Sequence, residues 1–563
     1  MFSNLIRVNK WVIAILIWGF ITRLVIASFL PTGFDESYYY NYTLYPNLSY
    51  FDHPPLVALV TGIGVWLTGE VSQLTIRLGS LVLYTGTLVF IYLTSAKLFS
   101  VKTATLTLAI ATSIPFFQVG FGTLILPDSP LMFFWATSLY VATCEFFKNS
   151  ETYMPSSKLA IVGGLVGLAF LGKYHGLLLG LGLIGFCLFS PSHRKALLSV
   201  WSLLGLGLFL IVISPVLIWN YQHNWVSFLF QSTRAIPAVS YRLDNLLVTF
   251  LAGIGYLFPT FGLAIWWTNF KVLGQILITS KYRIFNLQLT SDQQKQLLIL
   301  AVSLPVFVGF TFMGGYRQIL PSWHMPGFFG ATLILGQQAA IAQERNPKLV
   351  RNWLWGSGVT VMIILTVALS HVANGIFQKG GDGAIAGGFW EAKDDPSTQL
   401  VDVKQIRQAF INSPSLKAEL AKSQYIFSNN FFVSGQLGMA IAPITNQPIT
   451  CFDLDLRGFA FWESAIPWLG QDGLYITNEL FQNTDRRSLE ELSKFGFEAI
   501  AAKLTPRLVN DQLPALAIYQ EIFESMEKLE DILVKRGGQT VQTFHVYRAT
   551  KLLRLFPRPY GIK

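Results

Sequence analysis

Gly33-Phe34-Asp35-Glu36-Ser37-Tyr38-Tyr39-Tyr40 follows closely on Trp11–Leu30, an apolar run whose only charge is Arg23. A helix crosses the hydrocarbon core with about 20 mostly apolar residues, so Trp11–Leu30 reads as a membrane span. Acidic residues are costly in and beside a bilayer, which makes Asp35-Glu36 a candidate site rather than incidental charge. The same stretch opens a segment, 31–73, that carries a second unusual group, Phe51-Asp52-His53-Pro54-Pro55-Leu56.

The rest of the chain agrees with a membrane reading. Of its 563 residues 52% are hydrophobic and 13% charged, where a soluble chain carries about 25% charged residues. The net charge of +10 is uneven: residues 1–389 hold 22 Lys/Arg against 11 Asp/Glu, and residues 390–563 hold 19 against 20. The basic excess therefore sits in the apolar part and reports membrane orientation, not nucleic-acid binding. Cys144 and Cys187 fall in apolar spans and Cys451 stands alone in the tail, so no disulfide framework or cysteine-based metal site follows. The first apolar run lacks a small-residue cleavage site after it and is expected to be retained.

Further spans are expected near 74–96, 103–124, 129–147, 158–172, 174–190, 197–219, 247–270, 296–314, 323–341 and 353–375, eleven with the first. The fifth and sixth meet at Gly172-Lys173-Tyr174-His175-Gly176 and read either as two spans or as one broken helix. Alternating the spans from a cytoplasmic N-terminus puts 15 of the 22 basic residues inside, from Arg7 and Lys10 through Lys281 and Arg283 to Arg351. The same assignment puts Asp35, Glu36, Asp52, Asp128 and the Lys173 turn outside. Pro54-Pro55 are placed to open a helix, and Leu56–Leu67 is too short to span, which suits a helix lying along the outer leaflet. A second outer segment, 220–245, interleaves His223, Trp225, Phe228, Phe230, Arg234, Tyr241 and Arg242; it suits lipid headgroups or an aromatic belt equally. Residues 1–378 thus form a membrane domain with juxtamembrane helices in 31–73 and 220–245. The tail, 379–563, mixes apolar runs (Tyr425-Ile426-Phe427, Ile449–Leu454, Leu474-Tyr475-Ile476, Val541–Tyr547) with helical patterns (Val403–Ile411, Ser488–Phe495) and reads as a small α/β domain on the same outer side.

Each polar candidate has two readings. Asp35, just past a membrane helix, is either a partly desolvated general base or a first-turn carboxylate of a short helix. Asp52-His53 supplies a base, a ligand or a phosphate contact, or is simply an Asp-initiated turn before a Pro-led helix. Asp128, in Leu126-Pro127-Asp128-Ser129-Pro130, is an N-cap or a site carboxylate. Lys173, at a Gly-flanked break between apolar segments, needs an anionic partner, which a phosphate or an outer carboxylate would provide. Arg234 and Arg317 are cations able to hold phosphate in bidentate fashion. Arg23 either snorkels toward Asp35 or pairs within the bundle. Carboxylates together with His53, His175, His223 and His324 leave room for a divalent metal, yet no spacing has the specificity of HExxH, and no cofactor is expected to be required.

Phe34-Asp35-Glu36-Ser37-Tyr38-Tyr39 followed by Phe51-Asp52-His53-Pro54-Pro55-Leu56 resembles the bacterial glycosyltransferase family 39 proteins, relatives of protein O-mannosyltransferases and of the lipid A aminoarabinose transferase. Pro127-Asp128-Ser129-Pro130, Gly172-Lys173-Tyr174, Trp219–Trp225 and Leu320-Pro321-Ser322-Trp323 are similar to further markers of that family, as are Asp395-Pro396-Ser397 and Arg536-Gly537-Gly538 in the tail. The resemblance implies a GT-C fold, a mainly α bundle of about 11–13 transmembrane helices with a soluble outer domain. It implies inverting transfer of a sugar from a polyprenyl-phosphate donor to a lipid, glycan or protein acceptor, at the periplasmic face of a bacterial inner membrane. By motif match Asp35 and Asp128 would be catalytic carboxylates. Glu36, Tyr39, Asp52, His53, Lys173, Tyr174, His223, Arg234 and Arg317 would then line donor and acceptor sites. One departure matters: the aminoarabinose transferase has a lysine where this chain has His53, which shifts phosphate binding toward Lys173 or Arg234. A transporter or flippase of a lipid-linked substrate is the rival reading, but it calls for ionisable groups near the midplane and inverted repeats, and no repeat is visible. A scaffold whose tail binds partners is the third.

Overall fold

The computed structural model describes residues 10–148, 152–235, 240–279 and 289–562. Arg7, Lys281 and Arg283, which the orientation argument uses, lie outside these residues. The chain divides into two compact units. The first takes residues up to Ser28, His53–Val60 and Arg77–Thr366; the second takes Phe29–Asp52, Thr61–Ile76 and everything from Val367 on. The boundary expected near 378/379 therefore falls earlier, and most of the expected outer loop 31–73 belongs with the tail.

The helices are α1 Lys10–Phe29, α2 Phe34–Leu44, α3 Leu56–Thr68, α4 Gln73–Leu98, α5 Val101–Ser113, α6 Asp128–Phe146, α7 Lys158–Gly172, α8 Gly176–Phe189 and α9 Val200–Gln222. They continue as α10 Val226–Ala235, α11 Leu243–Leu257, α12 Pro259–Thr279, α13 Ser291–Met313, α14 Met325–Arg345 and α15 Pro347–Asn374. Six of these, α1, α4, α9, α12, α13 and α15, are long and apolar enough to cross a membrane by themselves among the described residues. The count of eleven exceeds this for local reasons. Expected span 103–124 ends as an α-helix before Ile114-Pro115 and resumes as a π-helical turn over Phe117–Phe121. Expected span 247–270 is two helices, because Phe258, ahead of Pro259, adopts φ +69°. The segments around Lys173 are two short helices, not one.

In the first unit, small residues let helices approach closely, as in other membrane bundles. A Cβ on Gly163 of α7 would lie 2.1 Å from the Gly205 carbonyl oxygen of α9, and one on Gly172 would lie 2.6 Å from the Leu131 nitrogen of α6. One contiguous apolar core runs through this unit from Val12 to Val350. Arg23 resolves to the second of its two expected roles: its guanidinium donates to Gln118 Oε1 (3.1 Å) and Thr85 Oγ1 (2.9 Å) inside the bundle.

The second unit holds the expected α/β domain. Its helices are α16 Val403–Asn412, α17 Pro414–Lys422 and α18 Phe431–Ile441, with shorter turns beyond. Its strands are β1 Tyr425–Ser428, β2 Ile449–Cys451, β3 Gly473–Asn478, β4 Asn483–Asp485, β5 Gln512–Pro514, β6 Phe523–Lys528, β7 Ile532–Arg536 and β8 Gln539–Leu552. The main sheet runs β2-β1-β3-β8-β6, with β7 also on β8; β2, β1 and β3 are parallel and β8 is antiparallel to β3. Tyr425, Phe427, Tyr475, Tyr519 and Phe523 head an aromatic core on one face of this sheet. The Gly537-Gly538 turn joins β7 to β8 with φ of +53° and +79°, which two-residue hairpins require. Just before it, Arg536 pairs with Asp395 and donates to Ser397 Oγ (2.9 Å), so the two tail markers meet in one buried ion pair. Burial opposes the Asp395 charge, but Ser397 and Arg536 hold its carboxyl below the usual range.

Helix α2 packs on α18. A Cβ on Gly435 would lie 2.9 Å from the Tyr38 Cα, and one on Gly438 would overlap the Asn41 amide at 1.8 Å. Asn41 Nδ2 donates to the Gly435 carbonyl at 3.1 Å, a bond that needs this approach. Arg407 of α16 donates to the Ala440 and Met439 carbonyls (2.8 Å each), satisfying the end of α18. Gly438→Ala is expected to cost about 1–3 kcal/mol by overpacking and to lower the thermal midpoint of the detergent-solubilised protein. Adding Asn41→Ala should recover part of that loss; a Gly438→Ala midpoint equal to wild type contradicts this packing.

Candidate active site

Asp35 and Glu36 occupy the first turn of α2 and meet different fates. Glu36 is 2% exposed, and its Oε2 accepts from the Gly33 N–H at 3.1 Å, turning back to cap its own helix. Asp35 is exposed. A first-turn carboxylate is also favoured by the helix dipole, and Glu36 supplies a backbone cap. Phe34 fixes the start of the helix from the side, its ring 5.0 Å from Phe432 and 5.5 Å from Phe481.

Asp52 is 3% exposed and surrounded by donors. Tyr42 donates its hydroxyl to Oδ1, Tyr38 does so at 3.2 Å, and Arg457 Nη1 reaches Oδ2 at 3.4 Å. Burial and the Asp52 carboxylate push both phenols well above their usual pKa, so both remain protonated donors. Burial works against the Arg457 charge, but Asp52 and Asp455 outweigh it and raise its pKa. Arg457 also pairs with Asp455 at 2.8 Å and lies over the Phe431 ring at 4.4 Å. The turn-initiating role expected for Asp52 is thus replaced by a buried carboxylate that ties α2 to the tail. Tyr39, 5% exposed, packs its ring 5.7 Å from Tyr38 and 5.5 Å from Tyr42 in the same cluster.

The first unit holds the other candidates. Asp128 is the first residue of α6, with Pro127 at the cap position and no side-chain cap bond. The expected N-cap role gives way to an ion pair: Lys173 Nζ donates to both Asp128 oxygens at 2.9 Å, and to Ser322 Oγ at 3.3 Å. The side chains are 7% and 3% exposed. The glycines at the break make this possible. A Cβ on Gly172 would meet the start of α6, and one on Gly176 would lie 2.3 Å from the Phe170 nitrogen, so the turn closes only without side chains there.

Further basic groups lie around the pair. His53 and Arg234, like Lys173 itself, lie near enough to His175 to act on its charge. The His175 ring stacks on Phe310 at 5.1 Å and meets Trp323 edge-on at 6.1 Å; the Arg234 guanidinium lies 5.7 Å from the same Trp323 ring. Tyr174 shares a 2.7 Å hydroxyl bond with Ser227, and Arg317 donates to the Thr233 carbonyl at 3.0 Å. His223 sits at the end of α9, stacked on Trp219 at 4.2 Å. Among the described residues no three His, Cys, Asp or Glu groups come together as a metal site. Sequence reasoning missed Arg457, Tyr38 and Tyr42 as partners of Asp52. The only local sign was Asp455-Leu456-Arg457, a charged triplet after an apolar strand.

Comparison with known proteins agrees with the resemblance to glycosyltransferase family 39. Residues 52–219 match the family model for dolichyl-phosphate-mannose-protein mannosyltransferase. The lipid A galacturonosyltransferase RgtD of Rhizobium johnstonii is 26% identical over 330 residues, 57% of this chain and 64% of that protein; the chain thus spans just under two thirds of that relative's length. The fold is the GT-C fold of ArnT from Cupriavidus metallidurans. The apo crystal structure superposes with a TM-score of 0.56 at 13% identity, over 96% of this chain and 98% of that one. The ArnT structure bound to undecaprenyl phosphate gives 0.52 at the same identity and coverage.

Breaking a buried pair by removing one partner costs about 3–5 kcal/mol, because the other charge stays buried. Lys173→Met and Asp128→Asn are each expected to lower the thermal midpoint by many degrees. The double variant should be more stable than the sum of the two losses predicts, and strict additivity in that cycle would contradict the pairing.

Proposed function

We propose that this chain is an integral-membrane inverting glycosyltransferase that moves a sugar from a polyprenyl-phosphate donor to a hydroxyl or phosphate acceptor at the periplasmic face. The observation that carries the reading is the set of basic groups, His53, Lys173 and Arg234, gathered about His175, with His53 and Lys173 inside the family match. Such a set suits a lipid phosphate. The relatives support that ligand: one ArnT structure holds undecaprenyl phosphate, and the curated relative modifies lipid A.

In this reading the acceptor oxygen attacks the anomeric carbon as the bond from that carbon to the carrier phosphate breaks. The acceptor proton passes to Asp35, and the polyprenyl phosphate leaves as an anion. The leaving group needs cations rather than a protonating acid, and positioned cations stabilise charge as it develops. Lys173 meets the phosphate with its direction set by Asp128, which makes Asp128 a positioning residue. Arg234 adds a planar donor set, and His53 contributes when protonated or as a neutral donor. Asp35 takes the base role by the motif match and by its exposure at the start of α2.

General-base catalysis is worth about 10²- to 10⁴-fold. Asp35→Asn is expected to lower turnover by that factor with carrier binding and thermal midpoint unchanged. The assay uses purified protein in liposomes with labelled polyprenyl-phosphate sugar and a lipid acceptor, scored for covalent product. Normal turnover by Asp35→Asn would remove Asp35 from the base role, and translocation of label without covalent product would favour the flippase reading.

A further inference from the structure

The tail domain has a site of its own. Strand β1 lies between β2 and β3, all parallel, so the chain leaves β1 toward one side through α18 and β2 and returns to the other side as β3. Open α/β sheets bind ligands at this reversal, in the crevice outside the carboxyl ends of the strands. Here that crevice is a cavity of about 390 Å³, lined by Asn429 and Asn430 after β1, Phe452 to Asp455 after β2, and Leu480 and Phe481 after β3. The volume equals about thirteen waters of liquid at ~30 Å³ each, room for one or two hexose rings, and falls within the usual range of small-molecule pockets.

The lining selects the ligand. Four carboxylates, Asp453, Asp455, Asp485 and Glu491, line the cavity, and among the described residues no lysine or arginine does. Anions are therefore disfavoured. Asp453 is half-buried, its Oδ1 accepting the neighbouring Leu454 N–H at 2.6 Å. Burial, with Asp455 and Glu491 nearby, pushes its carboxyl up to about 6. Asp455 is held by Arg457 and Asp485 by the Ser488 N–H at 2.8 Å, so their positions are set before any ligand arrives. Phe452, Phe481, Tyr519 and Phe556 supply aromatic walls. Carboxylates and amides beside aromatic faces match a sugar ring, with hydroxyls on its rim and an apolar face of C–H bonds.

The pocket also touches the proposed reaction machinery within the same unit. Its wall residue Phe481 packs edge-on against Phe34, the neighbour of Asp35, and its wall residue Asp455 shares Arg457 with Asp52. We propose that this pocket binds a saccharide without anionic groups, neutral or amino, as the acceptor-side subsite of the enzyme. The acceptor assignment rests on the glycosyltransfer reading; saccharide binding itself does not.

The test uses the full chain in a zwitterionic detergent without a sugar head group, with saturation-transfer NMR and calorimetry as readouts. Probes are N,N′-diacetylchitobiose, its deacetylated diamine, and digalacturonate. The first two should bind saturably with millimolar dissociation constants, and digalacturonate at least tenfold more weakly. Asn483→Trp, at an exposed lining position on β4, should weaken binding at least tenfold. Gln512→Trp, on the paired strand β5, serves the same purpose should the first variant lose its fold. Asp35→Asn should bind the saccharides as wild type does. No saturable binding by wild type, equal binding of digalacturonate, or full binding by a folded Trp variant would each overturn the site. Absent saccharide binding with Asp35→Asn inactive overturns this inference alone; saccharide binding with Asp35→Asn fully active overturns the base assignment alone.

Discussion

A carboxylate buried beside two tyrosines and an arginine fixes the geometry on which the second unit depends. Asp52, only 3% exposed, accepts from Tyr38 and Tyr42 of α2 and pairs with Arg457 of the tail. Burial of an unpaired carboxylate costs several kcal/mol, so α2, the 51–52 turn and the 455–457 loop are held to one arrangement. The backbone records the constraint, since Arg457 sits at φ +51°, a conformation unusual for a residue with a side chain. Gly458 N–H donating to the Tyr38 hydroxyl at 2.8 Å closes the same ring. Asp35 is carried on the first turn of the helix so fixed, which gives an exposed side chain a rigid base.

The first unit solves a similar problem with glycine. A lysine between two apolar helices must meet an anion, and Gly172 and Gly176 bring the turn against the start of α6, where Asp128 waits. Two short helices with a polar break cost hydrophobic length, and the α7/α9 contact at Gly163 and Gly205 restores close packing beside them. Irregular backbone at membrane depth is tolerated where protein surrounds it. Charge pairing and helix breakage are therefore one design at this point, not two.

Much of this was legible in the sequence. The apolar runs gave the helical bundle, and the alternating tail segments fell on β1, β2, β3 and β8. The Gly-flanked Lys173 announced its need for an anion, and Asp128, a carboxylate expected on the same face, meets it as one of the two expected partners. The Asp52–Arg457 contact was not legible, because 405 residues separate the partners and the charged triplet at 455–457 does not point to Asp52. For the same reason the grouping of most of 31–73 with the tail was not legible, since the packing of α2 on Gly435 and Gly438 depends on residues almost 400 positions away. Span ends were misjudged where a proline sits behind an aromatic residue, as at Phe258-Pro259, since hydropathy does not register a backbone turn.

The four carboxylates differ in their surroundings. Four stood out near the expected outer face: Asp35, Glu36, Asp52 and Asp128. In the structure Glu36 caps α2, Asp52 is enclosed by three donors, and Asp128 pairs with a lysine. Asp35 alone of the four is solvent-exposed. The acidic pair at the end of the first span thus divides its labour: Glu36 builds the helix start, and Asp35 is presented by it.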